Sequence, residues 1–267
     1  MGVEMVKFFR LFRCFLSMNI KKILEYRMDF IIGIIPSIIS SLFGLIFISL
    51  IFENIQSLTG LSYYNCQMIY GFFLLSSSLE RILCGNFQQL RGYIFNGTLD
   101  LIFTRPINLL LHLMFLNFNE EYFIQFIIGI GVVIHSVTSS GLQLSILTLC
   151  LIAYVSILGA LLLISITIIT SSLYFISDGT FSLFNAVNNL TTYLKYPITI
   201  FGKTIRFFLT WVLPLSAVSF LPMQLASEGF NNHLLYIIYL TIIIVALLML
   251  SVKIFFYGAK KYQSTGN

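Results

Sequence analysis

Phe201-Gly202-Lys203-Thr204 has the residue types that close a phosphate-binding loop: a glycine, then a lysine and a hydroxyl. That loop needs another glycine five positions before Gly202, where this chain has Pro197, which has no amide to offer a phosphate. No ATP site is expected here. His112, His135 and His233 stand far apart without companion ligands, and neither an HExxH motif nor a Ser/His/Asp set is present. Cys14, Cys66, Cys84 and Cys150 form no metal-ligand spacing and read as packing residues. Catalysis and metal binding are therefore not expected of this chain.

Charge is the remaining chemistry. Glu80 and Arg81 are adjacent inside an apolar run, where a charge costs about 2.5–3.5 kcal/mol, so they are expected as a structural pair at the inner mouth of a span. Glu120 and Glu121 stand at the start of another run and are the other acids that an ion-coupled carrier could use. The third group is Asn96-Gly97-Thr98-Leu99-Asp100-Leu101-Ile102-Phe103-Thr104-Arg105-Pro106, a polar island between apolar stretches. Gly97 permits a tight turn, Thr98 can cap a helix, and Asp100 falls in the first turn, where the helix dipole favours an acid. Pro106 disfavours helix at Arg105 and closes the segment. With Arg91, the island presents two cations and an acid on one face.

The elements that position these groups follow from composition. Of 267 residues, 58% are hydrophobic and 9% charged, with a mean hydropathy of +0.95. A soluble chain is about a quarter charged, so this one is an all-α integral membrane protein; a barrel would show short alternating segments. The net charge of +5 does not imply nucleic acid, because the basic residues flank apolar runs. Residues 4–27 place Lys7, Arg10, Ser17, Lys21 and Glu25 on one side of a helical wheel. Phe8, Phe12, Phe15, Leu16 and Ile23 lie opposite, the pattern of a helix in the membrane surface. No uninterrupted apolar core marks a cleavable signal. Spans are expected near 30–52, 66–86, 119–137, 142–172, 206–226 and 234–257. Pro214 and Pro222 make the fifth broken or re-entrant. With six spans, all fifteen basic residues fall in segments on the side of the termini, so both termini are expected in the cytoplasm. The acceptor patterns at Asn96 and Asn189 would then face the cytoplasm and are chance matches.

The run Gly97-Thr98-Leu99-Asp100, followed by Thr104-Arg105-Pro106, resembles the "G-x-L-D-x-L-L-x-R-P" segment of small six-span permeases of the type-2 ABC exporter class. Glu25-Tyr26-Arg27, Lys195-Tyr196-Pro197-Ile198 and the pair Pro214 and Pro222 resemble further stretches of that family in the same order. Two departures stand out: Phe95 occupies a position where the family often has arginine, and the chain turns almost wholly apolar after Asn108. The resemblance implies one transmembrane permease domain over 1–267, with an interfacial helix, a cytoplasmic coupling helix in 88–106 and a broken fifth span. It also implies a pair of separate ATP-binding subunits that carry ATP and Mg, and a second permease copy or sister subunit. Coupling would then rest on Gly97, Thr98, Asp100, Arg105 and Pro106, with Arg91 added by charge and position. The face of Lys7, Arg10 and Arg13 would be a second contact. Substrate would be hydrophobic or amphipathic: a lipid, a drug or a peptide.

Overall fold

The computed structural model describes residues 2–117, 119–176, 180–229 and 233–263, with the side chains of residues 2–12 and 16 not described. Lys7 and Arg10 are thus outside the described side chains.

Helix α1 (Gly2–Glu25) ends at a break at Tyr26 (φ −106°, ψ 57°), and α2 (Arg27–Asn54) begins at once. Pro36 sits inside α2 without ending it. A short turn through Leu58–Leu61 leads to α3 (Tyr63–Gln88), whose N-cap Ser62 accepts from the Asn65 amide. The short helices α4 (Leu90–Phe95), α5 (Thr98–Phe103) and α6 (Leu109–Phe115) follow. The hairpin of α7 (Glu121–Ser139) and α8 (Ile146–Ser172) comes next, with Ser145 capping α8. Helix α9 (Phe181–Thr192) and the broken region beyond it precede α12 (Leu234–Lys261).

Among the described residues, five helical stretches are long and apolar enough to cross a membrane: 27–54, 63–95, 121–139, 146–175 and 234–261. Their antiparallel arrangement gives the bundle two ends. One carries α1, α4–α6 and the last turns of α12; the loops at 55–62 and 140–145 lie at the other. Helix α3 is the axis. It packs against α2, α7 and α8, and 78% of its span is buried, against 11% for α2 and for α7. Ser76, Ser77 and Ser78 on α3 are buried, an arrangement that suits helices packed by small and hydroxylated residues.

The structure moves one element expected from the sequence and gives another its detailed course. The segment 178–203 is expected as a connection on the side of the termini; its described part, residues 180–203, instead runs lengthwise through the bundle. Phe181 lies under the Arg91 guanidinium, 4.5 Å from its ring centroid, at the end carrying the termini. Tyr196 meets Phe47 of α2, and the Thr199 hydroxyl is 2.6 Å from that of Thr59 in the opposite loop. This rod is α9 extended by single turns at Tyr193–Lys195 and Ile198–Ile200, interrupted at Pro197. The segment 206–226 is broken, as its two prolines predict. It is a sequence of α10 (Lys203–Phe207), a π turn (Phe208–Val212), a 3₁₀ turn (Leu215–Val218) and α11 (Phe220–Glu228). This hairpin dips from the loop end into the bundle, where the Ser76 hydroxyl donates to Val218 O at 3.0 Å. Gly159 of α8 makes room: a Cβ there would stand 2.7 Å from Ala217 O. Lys203 and Arg206 therefore lie at the loop end, away from Arg91, Arg105, Lys260 and Lys261.

Candidate functional site: the α4–α5 elbow

The polar island folds into an elbow. Helix α4 ends at Asn96, Gly97 turns with φ +69° and ψ 1°, and α5 starts at Thr98 with Asp100 in its first turn. A left-handed residue between two helices favours glycine, so this position has a structural reason for its residue type. Thr98 does not cap as expected. Its hydroxyl donates to Tyr93 O at 3.2 Å, tying α5 to α4 across the turn.

The elbow has two faces. Leu90 and Ile94 of α4, with Leu99 and Ile102 of α5, are buried in a cluster with Leu113, Ile168, Phe175 and Phe255. That cluster joins the elbow to the ends of α8 and α12. The opposite face is exposed and carries Arg91, Arg105, Phe95 (69% exposed) and Leu101 (66%). Exposed large apolar residues beside cations read as a contact surface more readily than scattered polar ones.

Asp100 faces the chain's C-terminal segment. Burial, and after it the Asp100 carboxylate, raise the Tyr262 phenol above the ordinary tyrosine range. The Tyr262 ring stacks on Phe103 with centroids 5.6 Å apart and meets Phe175 edge-on. Arg105 approaches the buried His112 of α6, its Nη1 3.3 Å from Nε2. Burial first, then the nearby guanidinium, lower the His112 pKa, so its ring is neutral at pH 7. With Nε2 accepting from arginine the proton lies on Nδ1, and Phe15 of α1 packs edge-on against that ring. Elbow, α6 and α1 are thus one connected unit. Asn108, just after Pro106, caps α6 by accepting from the amides of Leu110 and Leu111. Leu101 and Tyr262 escaped the sequence reading, and Phe95 and His112 entered it without a role, because a single side chain at a helix end has no distinguishing spacing. Arg13 is exposed on α1.

Glu80 and Arg81 lie within each other's electrostatic reach, but their hydrogen bonds go to different helices. Successive helical residues point about 100° apart. Glu80, buried, accepts from the Thr167 hydroxyl of α8 at 2.7 Å. Arg81 donates to the Tyr122 hydroxyl of α7 at 3.0 Å and lies over that ring. Each charge thus pins α3 to a different neighbour. A cavity of about 20 Å³ lined by Ser77, Glu80, Thr170, Asn188 and Thr191 has room for about one water. Thr167→Val keeps the shape but strands a buried carboxyl oxygen, and is expected to cost about 1–3 kcal/mol. Glu80→Gln keeps an acceptor and is expected to cost less. Thermal unfolding in detergent checks this; equal midpoints for the two variants would refute it.

Glu120 and Glu121 line a separate cavity with Lys22, Asp29 and Asn119, between the start of α7 and the α1–α2 junction. No group of three or more His, Cys, Asp or Glu among the described residues could hold a metal ion.

The described residues thus form a helical bundle with five stretches able to cross a membrane and an exposed elbow on one end. The family described as ABC-2 family transporter protein matches residues 38–266, so the chain belongs to that family and is an ABC transporter permease. Among curated proteins, none matches it.

Proposed function

We propose that this chain is the membrane half of an exporter for a hydrophobic or amphipathic substrate, driven by ATP hydrolysed on separate subunits. The observation that carries the reading is the elbow: a rigid, two-faced element with an exposed apolar and basic surface outside and an anchor on α8 and α12 inside. An ATP-binding subunit seated on Arg91, Phe95, Leu101 and Arg105 would push on both helices as it closes over nucleotide. Gly97 sets the turn, Thr98 ties it, Pro106 ends it, and Asp100 links it to Tyr262. The exposed Arg13 of α1, with Lys7 and Arg10, supplies a second contact.

Arg91, Arg105, Lys260 and Lys261 gather with α1 at one end, and this one-sided positive charge supports a cell-membrane protein with both termini in the cytoplasm. The rod 181–200 then makes the sixth crossing. Its Asn185 and Asn189 are exposed, and such groups are costly against lipid. They favour a second permease copy or sister subunit on that side, with the substrate path between the two.

The test is Asp100→Lys in a reconstituted complex with the ATPase subunits. The expected result is normal insertion with ATPase stimulation lowered about tenfold, the effect of about 1.4 kcal/mol of lost coupling. Unchanged stimulation would remove the coupling role, and transport from proteoliposomes without any ATPase would point to an ion-coupled carrier.

A further inference from the structure

At the loop end, away from the elbow, α10 and the turn after it form one wall of a cavity of about 310 Å³. Lys203, Arg206, Trp211, Gln224 and Tyr236 line it. Lys203 and Arg206 are three apart on α10, hence neighbours on one face, and both are exposed. Neither has an ion-pair partner among the described residues. Of the acids at this end, Glu228 lies 3.4 Å from His233, and Glu53 borders a different cleft. The aromatic wall is fixed. Tyr236 donates to Thr210 O at 2.7 Å and Tyr239 to Trp211 O, and the Trp211 ring lies 5.1 Å from Tyr236 and 5.5 Å from Tyr239.

Lys195 of the rod, nearer the loop end than the elbow, lies over the Tyr196 ring, whereas Lys203 and Arg206 have neither a ring nor an acid against them among the described residues, and the charge asymmetry of the other cations does not explain them. Beside them Ile205, Phe207 and Phe208 are about half exposed or more. A soluble anion would satisfy the cations and leave these side chains in water. A phospholipid satisfies both, since its phosphate meets the cations at headgroup depth while its chains cover the apolar residues. Tryptophan and tyrosine settle at that depth as well.

We propose that Lys203 and Arg206, with Trp211 and Gln224 at the cavity wall, bind the phosphate headgroup of an anionic phospholipid from the leaflet at the loop end. The acyl chains would lie along Ile205, Phe207 and Phe208. The inference rests on the membrane placement given above, not on the elbow. The bound lipid would hold the hairpin 203–228 at its working depth, beside the end of the rod 181–200.

Trp211 is the only tryptophan in the chain, which makes its fluorescence a reporter of this cavity alone. The full chain in nanodiscs would be titrated with brominated phosphatidylglycerol or brominated phosphatidylcholine, which quench tryptophan on contact. The anionic lipid is expected to half-quench Trp211 at about tenfold lower mole fraction. That preference should vanish in the double variant Lys203→Ala, Arg206→Ala and survive in Lys203→Arg, Arg206→Lys. Lys260→Ala with Lys261→Ala, at the other end, should not alter it. Equal quenching by the two lipids, or a preference that persists in the double alanine variant, would overturn the proposal. So would stabilisation of the lipid-free protein in micelles by inorganic phosphate through Lys203 and Arg206, which would make the ligand a soluble anion. ATPase stimulation plays no part in these readings, so they stand or fall independently of the coupling role.

Discussion

Phe95→Asp combined with Leu101→Asp is expected to separate the permease from its ATPase while leaving it folded. Both side chains are more than 60% exposed, so their loss removes no core contact. Surface changes of this kind ordinarily alter stability by less than about 0.5 kcal/mol. At an interface the same residues are apolar anchors, each with a truncation cost of about 2 kcal/mol when centrally placed. That is roughly thirtyfold in affinity per residue. Substituting aspartate adds the penalty of a buried carboxylate, so the combined loss should reach about a thousandfold. The measurement is the affinity of the detergent-purified variant for the ATPase subunit, beside its thermal midpoint. Loss of affinity with an unchanged midpoint is the expected pattern. Retained affinity would place docking elsewhere, with the α1 cations as the next surface to test.

Gly159→Val is expected to act in the middle of the bundle, at the midpoint of α8. The backbone of Ala217 and Val218 lies against Gly159, with Ala217 O 2.7 Å and Val218 Cα 2.8 Å from where a Cβ would be. Backbone cannot swing aside as a long side chain does. Valine must therefore push the hairpin off α8 or distort α8 itself, at about 1–3 kcal/mol. The lifted hairpin would also break the bond from Ser76 to Val218 O and loosen the Trp211 nest. The expected result is a lower thermal midpoint, red-shifted Trp211 emission and loss of transport, with ATPase binding kept. Gly159→Ala should show the same effects more weakly. A valine variant with wild-type midpoint and emission would mean that the hairpin has room to move.

Much of the elbow was legible in the sequence because its residues are constrained by backbone. Gly97 announced a positive φ, Asp100 a helix start and Pro106 a stop. The long apolar runs were legible by length alone. The rod at 181–200 was not. Asn185, Asn188, Asn189, Thr191 and Thr192 make it too polar to read as a crossing, and Pro197 breaks it into pieces too short for a hydropathy window. Polar residues are tolerated there because α3 and α8 face part of the rod, with Asn188 and Thr191 on the Glu80 cavity. The break in 206–226 was legible from Pro214 and Pro222, though the course of the hairpin was not. The segment is apolar enough for a span, yet its prolines and its placement between two loop-end contacts turn it back. The separate roles of Glu80 and Arg81 depend on which helices flank α3, a tertiary fact that adjacency does not carry.

The internal bonding of α3 also bears on how the protein is made. This helix is the least apolar of the five long stretches, with hydropathy 1.2 against 2.5–2.8 for α2, α8 and α12. Its polar groups find their partners late: Thr167 lies 87 residues beyond Glu80, and Val218 lies 142 beyond Ser76. At about 5–20 residues per second of synthesis, about 7–28 s pass before the last of these partners leaves the ribosome. Until then α3 is a costly guest in lipid. The expected consequence is that α3 stays beside the translocon until α8, and then the hairpin, arrive to pack against it.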